Sequence, residues 1–370
     1  MEHTYEDQKD KLEEADSIVL SADITNEEAL LFQLLKERQD KRLVCPEAKA
    51  YQDFLKAYSS VSGYHVFKGD LDTLAVSDIV ISLGVWFEDQ SAASITPVLK
   101  VLEEKKATFV YMHPIEDAAL QDSVTQFIKY EAGSEEGVAA LLAATLLQDK
   151  TLPETIKESL EAFDIGYLSA ESNVGEEELE SVNEYIGSET TLSLIIGSDL
   201  YAHEKAVQIA ILIGLLERYA DVNVVCLPPA ENALGIALIC DLDHAVHGQS
   251  VEYHSCKEGT YVNADKCVCI HHDMKSTGIG GLNSIAEILE QQGHVLADYS
   301  NQLPHEKGFQ PLGTDTKKEC MYRLVPQECQ NDVSLEEVEE LPVYDGALVY
   351  TYKVEGAIAQ QKRLEGVLYG

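Results

Sequence analysis

Short apolar runs separated by stretches of helical period set the pattern of the first half of the chain. Ser17-Ile18-Val19-Leu20 is a brief apolar run with β-branched side chains, the composition of a buried strand. Thr25-Asn26-Glu27-Glu28 then reads as a capping box: a threonine able to accept from the backbone three residues on, and a glutamate able to reach back. The helix it opens carries Leu30, Leu31, Leu34 and Leu35 on one face and ends near Arg38. Arg42 to Cys45, Ile79 to Leu83 and Thr108 to Met112 read as further strands, and Glu136 to Leu147 as an Ala/Leu-rich helix. Strands alternating with helices predict a parallel sheet covered on both faces.

The second half echoes the first. Ile18-Val19-Leu20-Ser21-Ala22-Asp23 returns as Leu194-Ile195-Ile196-Gly197-Ser198-Asp199. Leu34-Leu35-Lys36-Glu37-Arg38 returns as Gly214-Leu215-Leu216-Glu217-Arg218, and Leu43-Val44-Cys45 as Val224-Val225-Cys226. Two similar βαβ units predict an α/β protein of two related doubly wound, Rossmann-like modules with a cleft between them. The second copy's helix, from about His203 to Tyr219, is apolar almost all round and is expected to be buried.

Between the copies the composition shifts. From Thr151 to Gly187 ten acidic residues face a single basic one, Lys157, the profile of a solvated acidic connector with some helix, or of a docking surface for a basic partner. Beyond Cys240, Val251 to Ile270 alternates around Glu258-Gly259 in the manner of a β-ribbon. Ser284 to Gln292 reads as a helix ending at Gly293, and Leu341 to Lys353, with Tyr344, Tyr350 and Tyr352, as extended chain. The expected organisation is an acidic arm over 1–15, a first α/β module over 16–150 and the connector over 151–187. A second module with its ribbon follows over 188–325, then a tail over 326–370.

Charge narrows the function classes. The formal net charge is −38, a field that repels phosphate backbones and anionic headgroups. Nucleic acid and a basic-patch membrane dock are excluded on that ground. An apolar fraction of 45% places the charge on the surface of a folded body. Met1 to Asp16 is acidic where an export signal needs a basic start, and the apolar stretches Ile209 to Leu216 and Ala233 to Cys240 are too short to span a bilayer. A cytoplasmic protein with reduced thiols is expected, its eight cysteines being irregularly spaced.

Most recognisable chemistry is missing. Gly278-Ile279-Gly280-Gly281 has the wrong spacing for a dinucleotide fingerprint, and no Walker loop or Gly-x-Ser-x-Gly elbow occurs. His203-Glu204 has no second histidine at zincin spacing, and no Cys-x-x-Cys exists for zinc or iron–sulfur clusters. The richest region holds Cys240, Asp241, Asp243, His244, His247, His254, Cys256, Cys267, Cys269, His271 and His272. On a strand, Cys267, Cys269 and His271 share a face, and with Cys256 they form a set suited to zinc. Against this, scattered cysteines are common small core residues and paired histidines often sit on solvated turns. Asp23 and Asp199 follow the first strand of each copy, at the sheet edge where ligands bind, although a turn cap is the more ordinary role there. Glu176-Glu177-Glu178 reads as a solvated helix face. No catalytic, cofactor-binding or metal residue is assigned.

Four segments carry a resemblance. Pro228-Pro229-Ala230-Glu231-Asn232-Ala233-Leu234-Gly235-Ile236-Ala237 resembles the molybdopterin-oxidoreductase-like part of the G subunit of bacterial NADH:quinone oxidoreductase, respiratory complex I. Glu258-Gly259-Thr260-Tyr261-Val262-Asn263-Ala264-Asp265-Lys266 is similar to the ribbon that subunit shares with molybdopterin enzymes. Ala75 to Gly84 and Ala107 to Pro114 are similar to successive strands of its first Rossmann-like module. The likeness runs from Asp16 to Leu312, roughly four-fifths of the chain. It departs where Lys266-Cys267 stands for the ribbon's usual Gly-Arg, where Asp243 to Glu258 is shortened, and where the family's cysteine-rich cluster modules are wanting. The resemblance implies modules of the molybdopterin oxidoreductase type, without a molybdenum ligand or pterin pattern. It implies an accessory, non-catalytic subunit of the peripheral arm of a respiratory NADH:quinone oxidoreductase, with no cofactor of its own. Its partners would be the complex's other subunits, which hold it on the inner face of the cytoplasmic membrane without direct insertion. The alternatives are a molybdopterin-binding oxidoreductase domain, or a metal-binding protein using the Cys256–His272 cluster.

If the cysteines only pack, replacing Cys267 and Cys269 by Ser leaves metal content near zero. Stoichiometric zinc in the wild type that vanishes in the double variant establishes the metal site instead.

Overall fold

The computed structural model describes residues 11–271, except 23, 25, 65, 88–91, 106, 121–122, 188–189, 231 and 257–266, together with strand segments 294–299, 321–326, 343–344 and 347–348. Every expected strand of the first half is present: β1 (Ser17–Leu20), β2 (Arg42–Val44), β3 (Ile79–Leu83) and β4 (Thr108–Met112). The expected helices are α1 (Asn26–Gln39) and, further on, α5 (Glu135–Leu147). Thr25 lies outside the described residues. Its capping partner Glu28 is buried, where its carboxylate accepts the Tyr253 hydroxyl at 2.9 Å.

Beyond the expected elements come α2 (Pro46–Ser62), α3 (Leu71–Val76), α4 (Ala92–Lys105) and the short strand β5 (Gln126–Ile128). Proline opens α2, where its missing N–H costs nothing, and Tyr51, Phe54, Leu55 and Tyr58 form its buried face. Asp70 and Thr73 make the capping box of α3.

The chain forms two compact units that cut across the sequence-based modules. Unit 1 comprises Met1–Lys49, Ala230–Glu306 and Gln310–Gly370; unit 2 comprises Ala50–Pro229 and Lys307–Phe309. The echoed βαβ units are real, because β1 and β2 are parallel neighbours, as are β6 (Leu192–Ile196) and β7 (Val222–Cys226). They belong to different sheets, however, and the second copy shares its sheet with β3 and β4. Residues 151–187, expected as an acidic connector with some helix, are largely helical. They hold α6 (Glu154–Glu161), α7 (Ile165–Ser172) and α8 (Glu176–Tyr185), all within unit 2. Leu179 and Val182 of α8 are buried, which anchors an otherwise acidic stretch.

Unit 2 is organised by a parallel sheet in the order β5-β4-β3-β6-β7. β3 and β6 are buried at every position, as strands covered on both faces must be. Helix α9 (Ala206–Tyr219) starts later than expected; it is buried from Ile209 to Glu217 except at Ile211, and exposes Val207. It carries a buried carboxylate, Glu217, that accepts from the Tyr58 hydroxyl and from the backbone N–H groups of Lys68 at 2.9 Å and Val224 at 3.2 Å. Burial, then the Glu217 charge, pushes the Tyr58 phenol well up, so it stays a donor.

Unit 1 contains a sheet ordered β2-β1-β8-β9, with β8 (Ser250–Cys256) and β9 (Cys267–His271). The two strands expected of the ribbon are therefore present, but they pair in parallel, with Cys256 opposite His271. Antiparallel pairing occurs between β10 (His294–Tyr299) and β11 (Met321–Pro326), and between β12 (Val343–Tyr344) and β13 (Ala347–Leu348). The helix expected at Ser284 to Gln292, the stretch Gly278 to Gly281, and Tyr350 and Tyr352 lie outside the described residues. The apolar run after Asn232 is α10 (Ala233–Ile239), tied down by Asn232, whose side chain donates to the Ile24 carbonyl at 2.6 Å. Phe32 meets Tyr253 edge to face, with centroids 4.5 Å apart.

Lys36 on α1 closes unit 1's ion-pair group. Its Nζ donates to Asp243 Oδ2 at 2.9 Å, Asp241 Oδ2 at 3.2 Å and the Asp241 carbonyl at 2.6 Å. Burial opposes the charge, but the hydrogen bonds and charges of Asp243 and Asp241 outweigh it and raise the ammonium's pKa. A raised folded-state pKa gives stability that is complete below the ordinary lysine range and is lost as pH climbs through the folded value. Lys36→Met is expected to cost about 1–3 kcal/mol at neutral pH by denaturant unfolding, because it removes the cation that Asp241 and Asp243 share. It should also flatten the alkaline loss of stability; an unchanged unfolding midpoint and alkaline limb would show that the group contributes nothing.

Candidate functional site at the carboxyl edge of the second sheet

Doubly wound sheets hold ligands beyond the carboxyl ends of their strands, at the point where successive connections diverge. In unit 2 that point lies between β3 and β6, since β4 and β5 build outward on one side and β7 on the other. Here the two loops touch. Gly84 follows β3 at φ +63, and Gly197 follows β6. A Cβ on Gly197 would lie 1.8 Å from the Gly84 carbonyl oxygen, and one on Gly84 would lie 2.7 Å from Leu200 Cγ. Leu200 is fully buried. The strand ends are also spoken for. The Gly197 N–H donates to the Leu83 carbonyl at 3.0 Å, and the Ile196 carbonyl accepts from the Leu227 N–H at 2.9 Å and the Tyr201 hydroxyl at 3.0 Å. Backbone and one leucine close the crevice.

A polar group surrounds this closure. His113 follows β4, is 3% exposed, and places Nε2 3.0 Å from Asp199 Oδ2. With Nε2–H donating to Asp199, Nδ1 accepts the Ile115 N–H at 3.1 Å; in the imidazolium, Nδ1–H has the Ile115 carbonyl at 2.9 Å. Both protonation states find partners. The ring stacks on Tyr111 at 5.6 Å and meets Tyr130 edge-on at 6.4 Å. The buried Tyr130 hydroxyl has no hydrogen-bond partner among the described residues. Burial first, then the charges of Glu135 and Asp199, raise its pKa, so it remains a neutral phenol.

A second acid–histidine pair lies in the same unit. His203 Nε2 is 3.2 Å from Glu135 Oε2, and His203 Nδ1 accepts the Lys205 N–H at 3.0 Å. Glu135 opens α5, where the helix N-terminus favours its negative charge. His203 also lines a pocket of about 560 Å³, walled by the 131–134 loop, α5, α7 and residues 203–205.

Of the residues singled out by sequence, Asp199 is at the expected edge, paired with a histidine rather than capping a turn. Asp23 lies outside the described residues. Cys240 is buried with Sγ 3.3 Å from the Ala29 carbonyl, and burial pushes its thiol pKa up, the profile of an inert core cysteine. Asp241 and Asp243 serve Lys36, and His247 exchanges backbone hydrogen bonds with the Ser17 hydroxyl. The side chains of the Cys256–His272 cluster fall outside the described residues; among those described, no group of three His, Cys, Asp or Glu could hold a metal. His113, Tyr130 and Glu135 were missed. The edge rule that marked Asp199 applies equally to His113, which directly follows Met112 of β4.

No protein-family profile matches the sequence, and no curated protein does. Among solved structures, the chain is similar to one from the formyltransferase/hydrolase complex FhcABCD of Methylorubrum extorquens, in complex with methylofuran. The TM-score is 0.51 at 10% identity, covering 78% of this chain and 95% of that one. Acetylene hydratase from Pelobacter acetylenicus gives a TM-score of 0.45 at 9% identity, covering 60% of this chain and 33% of the hydratase chain. The fold is α/β with parallel sheets. No helix among the described residues is long and apolar enough to cross a membrane.

At the switch point of unit 2 the loops after β3 and β6 pack directly on one another. Leu200 packs against Gly84, and neither Gly84 nor Gly197 has room for even a methyl group. Gly197→Ala is accordingly expected to cost about 1–3 kcal/mol or more through overpacking against backbone. Leu200→Ala, which opens a cavity, should cost about 2–5 kcal/mol. Wild-type unfolding midpoints in both variants would mean that the crevice is open in solution.

Proposed function

We propose that this chain is a subunit of a multi-chain enzyme assembly, supplying a molybdopterin-enzyme-like α/β body as scaffold rather than a cofactor seated in unit 2's sheet. One observation carries the reading: where a doubly wound sheet ordinarily receives its ligand, the loops at Gly84 and Gly197 touch and the buried Leu200 packs against Gly84. The structural neighbour FhcABCD supports the assembly part, being a multi-subunit complex whose chain this one overlays along nearly its whole length.

The sequence resemblance to the respiratory G subunit gives one candidate assembly, the peripheral arm of an NADH:quinone oxidoreductase. A second reading, a domain that itself binds molybdopterin, is favoured by the fold, whose likeness is to molybdopterin enzyme domains at large rather than to a respiratory subunit. On that reading the pterin must sit elsewhere than the filled crevice.

Full-length tagged protein, purified gently from its own cells, is expected to bring down other enzyme subunits in fixed ratio. It should carry neither molybdenum nor tungsten, and show no pterin fluorescence after oxidation. Partners that oxidise NADH identify the respiratory assembly, and formyl-transferring partners the other. Recovery as a lone chain with stoichiometric metal and pterin would replace the scaffold reading with the cofactor-binding one.

A further inference from the structure

The pocket beside His203 is lined by both carbon surface and charge. Phe163, Leu168 and Leu212 give it carbon surface, of which Phe163 and Leu168 are half-buried. Glu131, Glu136, Glu171 and Glu204 also line it, with Lys205. His203 forms part of the wall; its Nε2 lies 3.4 Å from the Gly133 carbonyl and 3.2 Å from Glu135 Oε2. Helix α6 adjoins it in sequence and has no buried residue. Its Ile156 and Leu160, followed by Phe163, are only half covered. Tyr167 of α7 is 61% exposed.

We propose that the pocket and the uncovered α6–α7 face receive a basic, amphipathic segment of a partner subunit. Its aliphatic side chains cover Phe163 and Leu168, and a lysine or arginine head reaches the glutamates. This deepens the scaffold reading and rests on it. Two physical points select the occupant. Long basic side chains bury an apolar stem while keeping the charge in water, which matches a lining of both carbon surface and carboxylates. Charge complementarity also discriminates: four glutamates against one lysine reject acidic or phosphorylated segments. The wider stretch 151–187, with ten acids and one lysine, draws a basic segment toward the same unit.

A net charge of −38 attracts any polycation, so the test separates pocket from field. The probe is a synthetic ten-residue peptide of alternating Lys and Leu, titrated calorimetrically onto the full chain. The triple variant Glu136→Gln, Glu171→Gln, Glu204→Gln is expected to weaken binding at least tenfold, and Phe163→Ala at least fivefold. The control triple Glu177→Gln, Glu180→Gln, Glu184→Gln on α8 removes equal charge and should change affinity less than twofold. Equal losses in both triples would overturn the proposal in favour of diffuse attraction. Equal affinity for a leucine-free oligolysine, or for spermine, would overturn it in favour of a small polycation. In the purified assembly, a photocrosslinker at Leu168 should join a Lys- or Arg-containing peptide of a partner. An assembly that purifies intact but crosslinks nothing there sinks the pocket while leaving the subunit reading standing. A chain that binds the peptide in the pocket yet purifies alone sinks the subunit reading, and the partner with it.

Discussion

The parallel pairing of β3 with β6 is the constraint on which unit 2 depends. Ile79 to Leu83 lies in register with Leu192 to Ile196 on one side and with Thr108 to Met112 on the other. Strands so far apart in sequence are brought together at a large loop-closure cost, which only extensive burial offsets. Both central strands are buried throughout, and the two glycines at their ends let the loops meet without a side chain between them. At the opposite end, Asp78 accepts from the Thr191 N–H at 3.0 Å and from its hydroxyl at 2.9 Å. Those bonds hold its carboxyl below the ordinary aspartate range. The pair is pinned at both ends.

Closing one site leaves its polar neighbours with another task. His113 and Asp199 bind each other, and each protonation state of the histidine keeps a backbone partner. Such a pair orders the loops after β4 and β6 relative to one another. His203 lies 3.2 Å from Glu135, between the approach to α9 and the start of α5. Among the described residues, a pocket lies beside the second pair, bounded by α5, α7 and residues 203–205.

The echoed segments show how one local pattern serves two ends. Glu37 and Glu217 occupy equivalent places in the repeat. Glu37 is exposed and accepts locally, from Gln33 at 3.0 Å. Glu217 is buried and joins Tyr58, Lys68 and Val224. The neighbouring position differs too: Lys36 reaches two aspartates, whereas Leu216 is core. Similar patterns gave a helix in both copies; the surroundings decided whether the carboxylate is a surface charge or a structural acceptor.

The sequence by itself determined the elements. Apolar runs with β-branched side chains placed β1, β3 and β4 to the residue, because burial on both faces leaves an unbroken apolar signature. It determined the parallel α/β class, and it marked Asp199, because the end of a strand can be read locally. Only the tertiary structure decided which strands share a sheet. The signal for β3–β6 pairing is spread across more than a hundred residues, while both βαβ copies look alike at short range. For the same reason the acidic stretch 151–187 read as a connector: Leu179 and Val182 reveal that it packs only when their neighbours are in place. The filled crevice was equally illegible. Gly84, Gly197 and Leu200 are unremarkable as letters, and the closure exists only because two distant loops arrive at van der Waals contact.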